Sequence, residues 1–403
     1  MAKTVILGSN FAGMTAALEI RRKLGPEHEV LVVSPSKNFL FVPSLIWVPF
    51  GRRKVSDITF EIAPLLKRKG VGFIQDRAVR VLPDSNQVET AQNGLISYDY
   101  LVVATGCGLD FSAVPHSDPA EGYVQCIVTP KMAEESFEAF EKLVADPGPV
   151  VVGATQGASC MGAAYEYLFN LDKELRRKGV RDRVEITWIT PEPYLGHFGI
   201  GGIRGGKSML EMFMKLYKIN WITEAQIAEI QKDKIILNDG RELPYKMSML
   251  IPPFVGVDAI RNTPELSDAR GFVPVNEGYQ HPDYPNVYAA GLAVEVLAPF
   301  KNCKVPFGVP KTGYPSDVMG KVAAKNIIHA IKGDGKFEKQ DFGKIPALCV
   351  MDAGHKEVLI FGNHFFKPRQ FEIMLPNVFS DTGKVLLEKY MIAKNRHGWS
   401  YLP

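Results

Sequence analysis

A strand, a glycine-rich turn, a helix and a second strand occur twice along this chain, and no other feature restricts its fold so much. Residues 4–34 read TVILG, then FAGMTAALEIRRKLG, then EVLVVS. The outer pieces are short β-branched runs; the middle has helical spacing and ends in Gly. Residues 148–190 repeat the plan as GPVVVGA, SCMGAAYEYLFNLDKELRRKG and RVEITWIT. Two such βαβ units predict an α/β chain with two Rossmann-like dinucleotide-binding domains. YDYLVVATG (98–106) and NVYAAGLA (286–293) add strand–turn elements. The expected division is 1–110 with 268–335 as one discontinuous domain, 111–267 as the second, and 336–403 as a separate C-terminal region.

Composition narrows the classes. A chain of 403 residues, 46% hydrophobic, exceeds one ordinary domain. Its 47 basic and 44 acidic residues leave a net charge of +3, which gives no basis for nucleic acid as a partner. Five cysteines without CxxC or Cys/His spacing fit neither a disulfide scaffold nor a structural zinc site, so no metal is expected. The N-terminus MAKTVILGSN lacks the features of a cleaved signal. The apolar run 38–50 is too short to span a bilayer and contains Pro43 and Pro49. A membrane contact would therefore be peripheral.

The first turn is Gly8-Ser9-Asn10-Phe11-Ala12-Gly13. A dinucleotide fingerprint wants a glycine for the turn, one for close approach of the pyrophosphate and one for helix packing. Asn10 replaces the second, and Asn tolerates unusual backbone angles. The helix N-terminus offers free N–H groups to a diphosphate. Ser34 stands where an acidic residue normally holds the ribose. The turn Ala104-Thr105-Gly106 and the run 285–291 ending in Gly291 resemble elements that wrap FAD in disulfide-reductase-like flavoproteins, although Leu292 replaces the usual Asp. FAD is the expected cofactor.

The second turn reads Gly153-Ala154-Thr155-Gln156-Gly157-Ala158-Ser159-Cys160. Thr155 obstructs the pyrophosphate position, Ala158 replaces the third glycine, and the next strand ends at Thr190, with Glu192 close by. These losses argue against NAD(P)H. The gain is Cys160 in the first turn of the helix, where the dipole is expected to lower its pKa; by position alone it reads equally as a small buried residue packing helix on strand.

GASCMGAAYEY (157–167), ITPEPYLGHFG (189–199) and VPFGVPKTGYPSDVMG (305–320) closely resemble the sulfide:quinone oxidoreductases, and the layout matches over nearly the whole chain. The resemblance implies three working cysteines: Cys160, Cys349 (PALCVMD) and Cys126 (GYVQCIV). Cys160 and Cys349 would bridge through sulfur on one face of the flavin, and hydrosulfide would open the bridge. The freed thiolate would attack the ring, and polysulfide or sulfane sulfur would leave. Cys126 would assist sulfur handling or attach the flavin; otherwise it is a solvent-facing loop residue. Cys107 and Cys303 match no family position and read as structural. Lys311 of PKTGY would stabilise reduced flavin as a cation. Pro43, Ser44, Ala78 and Gly313 join the flavin contacts. His197 would sit near the sulfide entry and hold a proton. Glu166 reads as a base or as a helix-face carboxylate.

The resemblance also implies a membrane quinone as electron acceptor. Drawn as a helix, residues 384–396 put Leu386, Leu387, Tyr390, Met391 and Ala393 on one face, with Lys384, Glu388, Lys389, Asn395 and Arg396 mostly opposite. Lys394, Val385 and Ile392 spoil the separation; the helix suits a membrane surface, on a side the sequence does not assign, or packs on its own domain or a dimer partner. EKYMIAK resembles the family segment with a quinone-pocket tyrosine, here Tyr390; Phe379 and Phe361 are further candidates. The chain stops soon after, so attachment could depend on a homo-oligomer. The rival readings are the flavin subunit of a flavocytochrome c-type sulfide dehydrogenase, a type II NADH:quinone oxidoreductase and a non-catalytic flavoprotein.

Overall fold

The computed structural model describes residues 1–300, 303–377 and 381–402. In chain order the elements that position the site are β1 (Lys3–Leu7), α1 (Phe11–Lys23), β2 (Glu29–Ser34), β3 (Gly72–Gln75) and β4 (Tyr100–Val103). There follow β5 (Val150–Ala154), α2 (Met161–Arg177), β6 (Ile186–Ile189), β7 (Ile219–Ile222) and β8 (Met247–Ile251). The chain continues through β9 (Val287–Ala289) and α3 (Gly313–Lys332), then β10 (Ala347–Asp352), β11 (Glu357–Gly362), β12 (Glu372–Asn377) and α4 (Thr382–His397).

Two parallel sheets carry the two units, in the orders β9-β4-β1-β2-β3 and β7-β6-β5-β8. Their central strands are buried on both faces, as their unbroken apolar runs require. The late strand β9 returns to the first sheet beside β4. α1 packs on α3 across Gly320, where an added Cβ would lie 2.5 Å from the Ala12 carbonyl oxygen. In the first turn the positive φ falls on Gly8 (105°), while Asn10 is extended at φ −104°. The sequence expectation for Asn10 is thereby corrected: the unusual backbone angle is needed two residues earlier, at a glycine.

The second turn is closed by its own chain. The Gly157 N–H donates to Pro306 O at 2.6 Å, and the Ala158 N–H donates to Thr155 O. The Gln156 side-chain amide pairs with the backbone of Ile227 in both directions. Glu192 is fully buried. Its carboxyl accepts from Tyr165 Oη (2.9 Å), Thr190 Oγ1 (2.8 Å) and the Phe198 N–H (2.6 Å). Burial raises its pKa to about 7 against the pull of these donors.

The C-terminal region is an antiparallel sheet, β10-β11-β12, followed by α4. α4 is held by buried charges. Lys384 pairs with Glu166 of α2, and Lys394 pairs with Asp317 of α3 at 2.8 Å. Glu388 accepts from Ser44 Oγ at 2.6 Å and pairs with Arg53. The expected amphipathic face is therefore corrected: Lys384, Glu388, Lys394 and Asn395 point inward, and Leu386 (62% exposed) and Tyr390 (38%) point outward. The helical period is as expected, but the acids of other elements turn the helix over.

Asp317 also accepts from Thr15 and pairs with Lys321. Asp317→Ala would leave the Lys394 ammonium buried without this partner, a loss of about 3 kcal/mol or more in a denaturant titration. Glu192 gives a pH signature. Its folded pKa lies above its ordinary 4.5, so the folded state binds the extra proton, and stability falls as pH rises from about 4.5 to about 7. Glu192→Gln lacks that titration. Its stability relative to the parent chain should rise between pH 5 and 8 by on the order of 3 kcal/mol, and a flat difference would remove the buried-carboxyl account.

Candidate active site

The first turn forms a cradle suited to a dinucleotide. Asn10 caps α1 without a side-chain bond, so the first N–H groups of the helix keep their donor capacity. The Asn10 side-chain oxygen accepts from the Leu40 N–H at 3.4 Å. Gly8 and Gly13 are pressed together: a Cβ on Gly13 would lie 2.1 Å from Gly8 O. Ala12 touches Gly291, and Gly313 faces Phe11. Ser34 ends β2, and its hydroxyl accepts from Ser9 Oγ at 2.8 Å. Thr105 Oγ1 is buried with no hydrogen-bond partner in the protein, beside Gly106 at φ +78°. A buried orphan hydroxyl next to a helix N-terminus with free donors fits an FAD diphosphate and its neighbouring groups. Ser44 donates its O–H to Glu388, which leaves its oxygen able to accept from a donor of the flavin. Ala78 opens the strand Ala78–Leu82 in a meander packed on the first core.

Lys311 is aimed at the turn after β9. Its ammonium donates to Leu292 O (2.9 Å) and Val294 O (2.6 Å) and lies 3.8 Å from the centre of the Phe272 ring. Burial lowers its pKa to about 7, and Cys107 opposes this. Its charge is thus easily changed by an anion placed near it.

The two principal thiols come from different ends of the chain to one place. Cys160 is the N-cap of α2, just before its first turn, and Cys349 lies in β10. Glu166, six residues after Cys160, accepts the Asp352 N–H at 2.8 Å and so ties α2 to β10. Glu166 and Lys384 act on both thiols, and the charge of Cys160 acts on Cys349. In the register of the sheet Cys349 shares a face with buried Ile360 and Met374. Its accessible surface therefore opens into a recess rather than onto the outside. Burial is the largest influence on both thiols, raising Cys160 and pushing Cys349 up to about 12. This corrects the expectation for Cys160. A backbone N–H at Ala163 favours its thiolate, as the helix position suggested, but desolvation outweighs that help.

Cys126 is 1% exposed, next to Gln125, which bridges to Met249 of β8. The solvent-facing alternative is thereby excluded. Burial raises this thiol to about 11, and Cys160 acts on it too. Cys107 follows the Ala104-Thr105-Gly106 turn and lies within the electrostatic reach of Lys311 and Cys160, with its thiol raised to about 12 by burial. Its position directly after a flavin-type turn was the signal that could have marked it. Cys303 lies farther out, against Tyr194 and Glu224. Lys384 and Asp352 also belong to the site; Asp352 closes the PALCVMD segment, and Lys384 stands in no sequence motif.

His197 is 5% exposed in a ring of aromatics: Tyr194, Phe300 and Phe307 lie edge-on at centroid distances of 5.2, 4.7 and 5.0 Å. Its Nδ1 has no hydrogen-bond partner, and burial followed by Lys367 lowers its pKa to about 4. It is neutral at pH 7.

Of the quinone candidates, Phe361 (37% exposed) is on the face of the sheet away from Cys349, and Tyr390 is half-exposed on α4. Burial and Asp317 raise the Tyr390 phenol. Phe379 lies outside the described residues.

Comparison with known proteins places this geometry. The pyridine nucleotide-disulphide oxidoreductase family model matches residues 2–302. The sulfide-quinone reductase of Aquifex aeolicus is 34% identical over 99% of this chain and 92% of its own length. The solved structure of the sulfide:quinone oxidoreductase from that bacterium superposes with a TM-score of 0.92 at 33% identity, covering 99% of this chain and 92% of the other. The mitochondrial sulfide:quinone oxidoreductase of Mus musculus is 25% identical over 72% of this chain and 65% of its own. The chain belongs to the pyridine nucleotide-disulphide oxidoreductase family and, within it, to the sulfide:quinone oxidoreductases.

Proposed function

We propose that the protein binds FAD, oxidises sulfide at Cys160 and Cys349, and delivers the electrons to a membrane quinone. The observation that carries this reading is the convergence of the two thiols on one buried ion pair, Glu166–Lys384. A sulfur bridge between Cys160 and Cys349 is opened by hydrosulfide, leaving a persulfide on one cysteine and a thiolate on the other. Lys384 favours the anionic form of either thiol, and Glu166, held by Lys384 and the Asp352 N–H, is the carboxylate that acts on both and takes a proton. Cys126 assists sulfur handling from behind Cys160. FAD, when bound, supplies the two-electron acceptor, and the residues fitted to it are Gly8, Asn10, Ala12, Gly13, Ser34, Pro43, Ser44, Ala78, Thr105, Gly106, Gly291, Lys311 and Gly313. The flavin domain is 1–110 with 268–335. The second domain, 111–267, does not use NADH, because Pro306 and Thr155 already take the turn donors that a pyrophosphate would need.

We place the quinone and lipid contact in 336–403. Among the described residues no helix is long and apolar enough to cross a membrane. The outer face of the C-terminal sheet is apolar: Leu348, Phe361 and Ile373 form one cross-strand row, and Val350, Leu359 and Leu375 form the next. Four of these are more than one-third exposed. Such a face suits a lipid surface or a second copy of the chain.

Stopped-flow absorbance tests the reading. Sulfide should bleach the flavin, a soluble quinone should restore it, and NADH should do neither. Cys160→Ala and Cys349→Ala should each lower sulfide-dependent quinone reduction by roughly a hundredfold or more with flavin still bound. Near-normal turnover in either variant would sink the paired-cysteine chemistry.

A further inference from the structure

Two segments of chain lie in succession over one side of the turn that carries Cys160. The strap 305–310 lies directly on it: the Gly308 N–H donates to Ala158 O at 2.9 Å, and a Cβ on Gly308 would lie 2.8 Å from Ser159 Cβ. The loop carrying His197 lies on the other side of the strap. The Phe307 ring faces His197, and a Cβ on Gly199 would lie 2.5 Å from Gly308 O. Arg369 grips this loop by donating to Gly202 O (2.6 Å) and Ile200 O (2.8 Å). The Lys367 stem runs over Gly201, its Cδ and Cε at 3.6 and 3.9 Å from where a Cβ would stand.

Two observations here point to an anion. Lys367 is exposed, and among the described residues no carboxylate pairs with it. His197, nineteen-twentieths buried, presents a ring nitrogen with no partner. A buried polar atom without a partner is costly unless something transient satisfies it. The wider rim has the same sign. Arg204, Lys207, Lys367 and Arg369 surround the loop, against Glu211, 3.8 Å from Lys207, and Glu372, 2.9 Å from Arg369.

Resting on the sulfide reading above, we propose that Lys367 is the entrance cation that gathers hydrosulfide at the loop carrying His197. Hydrosulfide is small, singly charged and soft. A lysine at the mouth supplies the charge, and a neutral imidazole boxed by aromatic rings accepts a weak S–H donor without trapping the ion. A cleft lined by one sign of charge raises the encounter rate of an oppositely charged substrate, and salt removes that advantage. A cation at this position acts on capture and not on the later chemistry.

The test is kcat/KM for sulfide across a range of ionic strength, in the flavin-loaded protein with a soluble quinone. Lys367→Gln should lower kcat/KM at low salt by roughly threefold or more, and Lys367→Glu by more still, converging on the parent at high salt. Lys367→Arg should behave as the parent, as should Lys131→Gln, which makes the same charge change on a distant exposed lysine. A Lys367→Gln variant with the parent's kcat/KM and salt slope would overturn the proposal. So would a loss that is equal at every salt or confined to kcat, since that marks a structural role. Failure of sulfide to bleach the parent flavin would instead remove the sulfide reading itself.

Discussion

The Glu166–Lys384 ion pair joins three elements that are distant in sequence: the helix of the second βαβ unit, the C-terminal sheet and the C-terminal helix. Taking two charges out of water is expensive, and the attraction between them repays it only with good geometry and further hydrogen bonds. Glu166 has those in the Asp352 N–H and the Lys384 ammonium, while Asp352 itself accepts from the Trp47 indole at 2.7 Å and pairs with Arg52. The network fixes the position of β10 against α2, and with it the position of Cys349 against Cys160. Deleting either charge would leave the other stranded in the protein, next to two thiols whose titration responds to both. Packing and chemistry therefore rest on the same contact.

The second unit shows how a nucleotide site is turned to another use. Its strands and helix keep the Rossmann arrangement, because their apolar runs leave no other way to bury both faces. The turn between them is altered. Thr155 accepts the Ala158 N–H, Pro306 takes the Gly157 N–H, and Glu192, near the end of β6, folds inward to hold the peptide N–H after His197. Donors that would face a pyrophosphate now organise a covering strap and the His197 loop. Cys160 at the head of α2 is left as the reactive group of that end of the sheet.

Much of this was legible in the residues. Period-2 and period-3.6 patterns, together with glycine placement, report local backbone geometry, and the two units carry them plainly. The cysteines were legible through their flanking segments. The misread features share a physical cause: each depends on what other parts of the chain place nearby. The thiol of Cys160 is raised because the fold desolvates it, which a helix N-terminus alone does not reveal. Cys126 is buried by pairing beside Met249, and Cys107 is brought to Cys160 by the return of the chain after the flavin-type turn. α4 shows the limit most clearly. Local patterning sets Lys384 and Glu388 opposite the apolar face without saying what they meet, and Glu166, Asp317, Ser44 and Arg53 await the helix's polar residues inside. Nothing local to 382–397 encodes those partners.

That inversion has a consequence for the outer surface. Once Lys384, Glu388 and Lys394 are turned inward, the period of the helix carries Leu386 and Tyr390 outward. The neighbouring sheet behaves alike: strand alternation that sends Cys349, Ile360 and Met374 to the recess sends Leu348, Phe361 and Leu359 to the exterior. Between residues 345 and 402 the acids are buried or half-buried, and the exposed charges of α4 are Lys389 and Arg396. An apolar face with a cationic fringe is what an interfacial contact requires, since burial gains roughly 25 cal/mol per Å² and anionic headgroups attract the fringe. This supports the lipid contact proposed for the region. It also explains why the sulfur site and the apolar surface stand back to back: one strand and one helix supply both, and the buried ion pairs that orient the thiols leave the opposite faces nowhere to go but out.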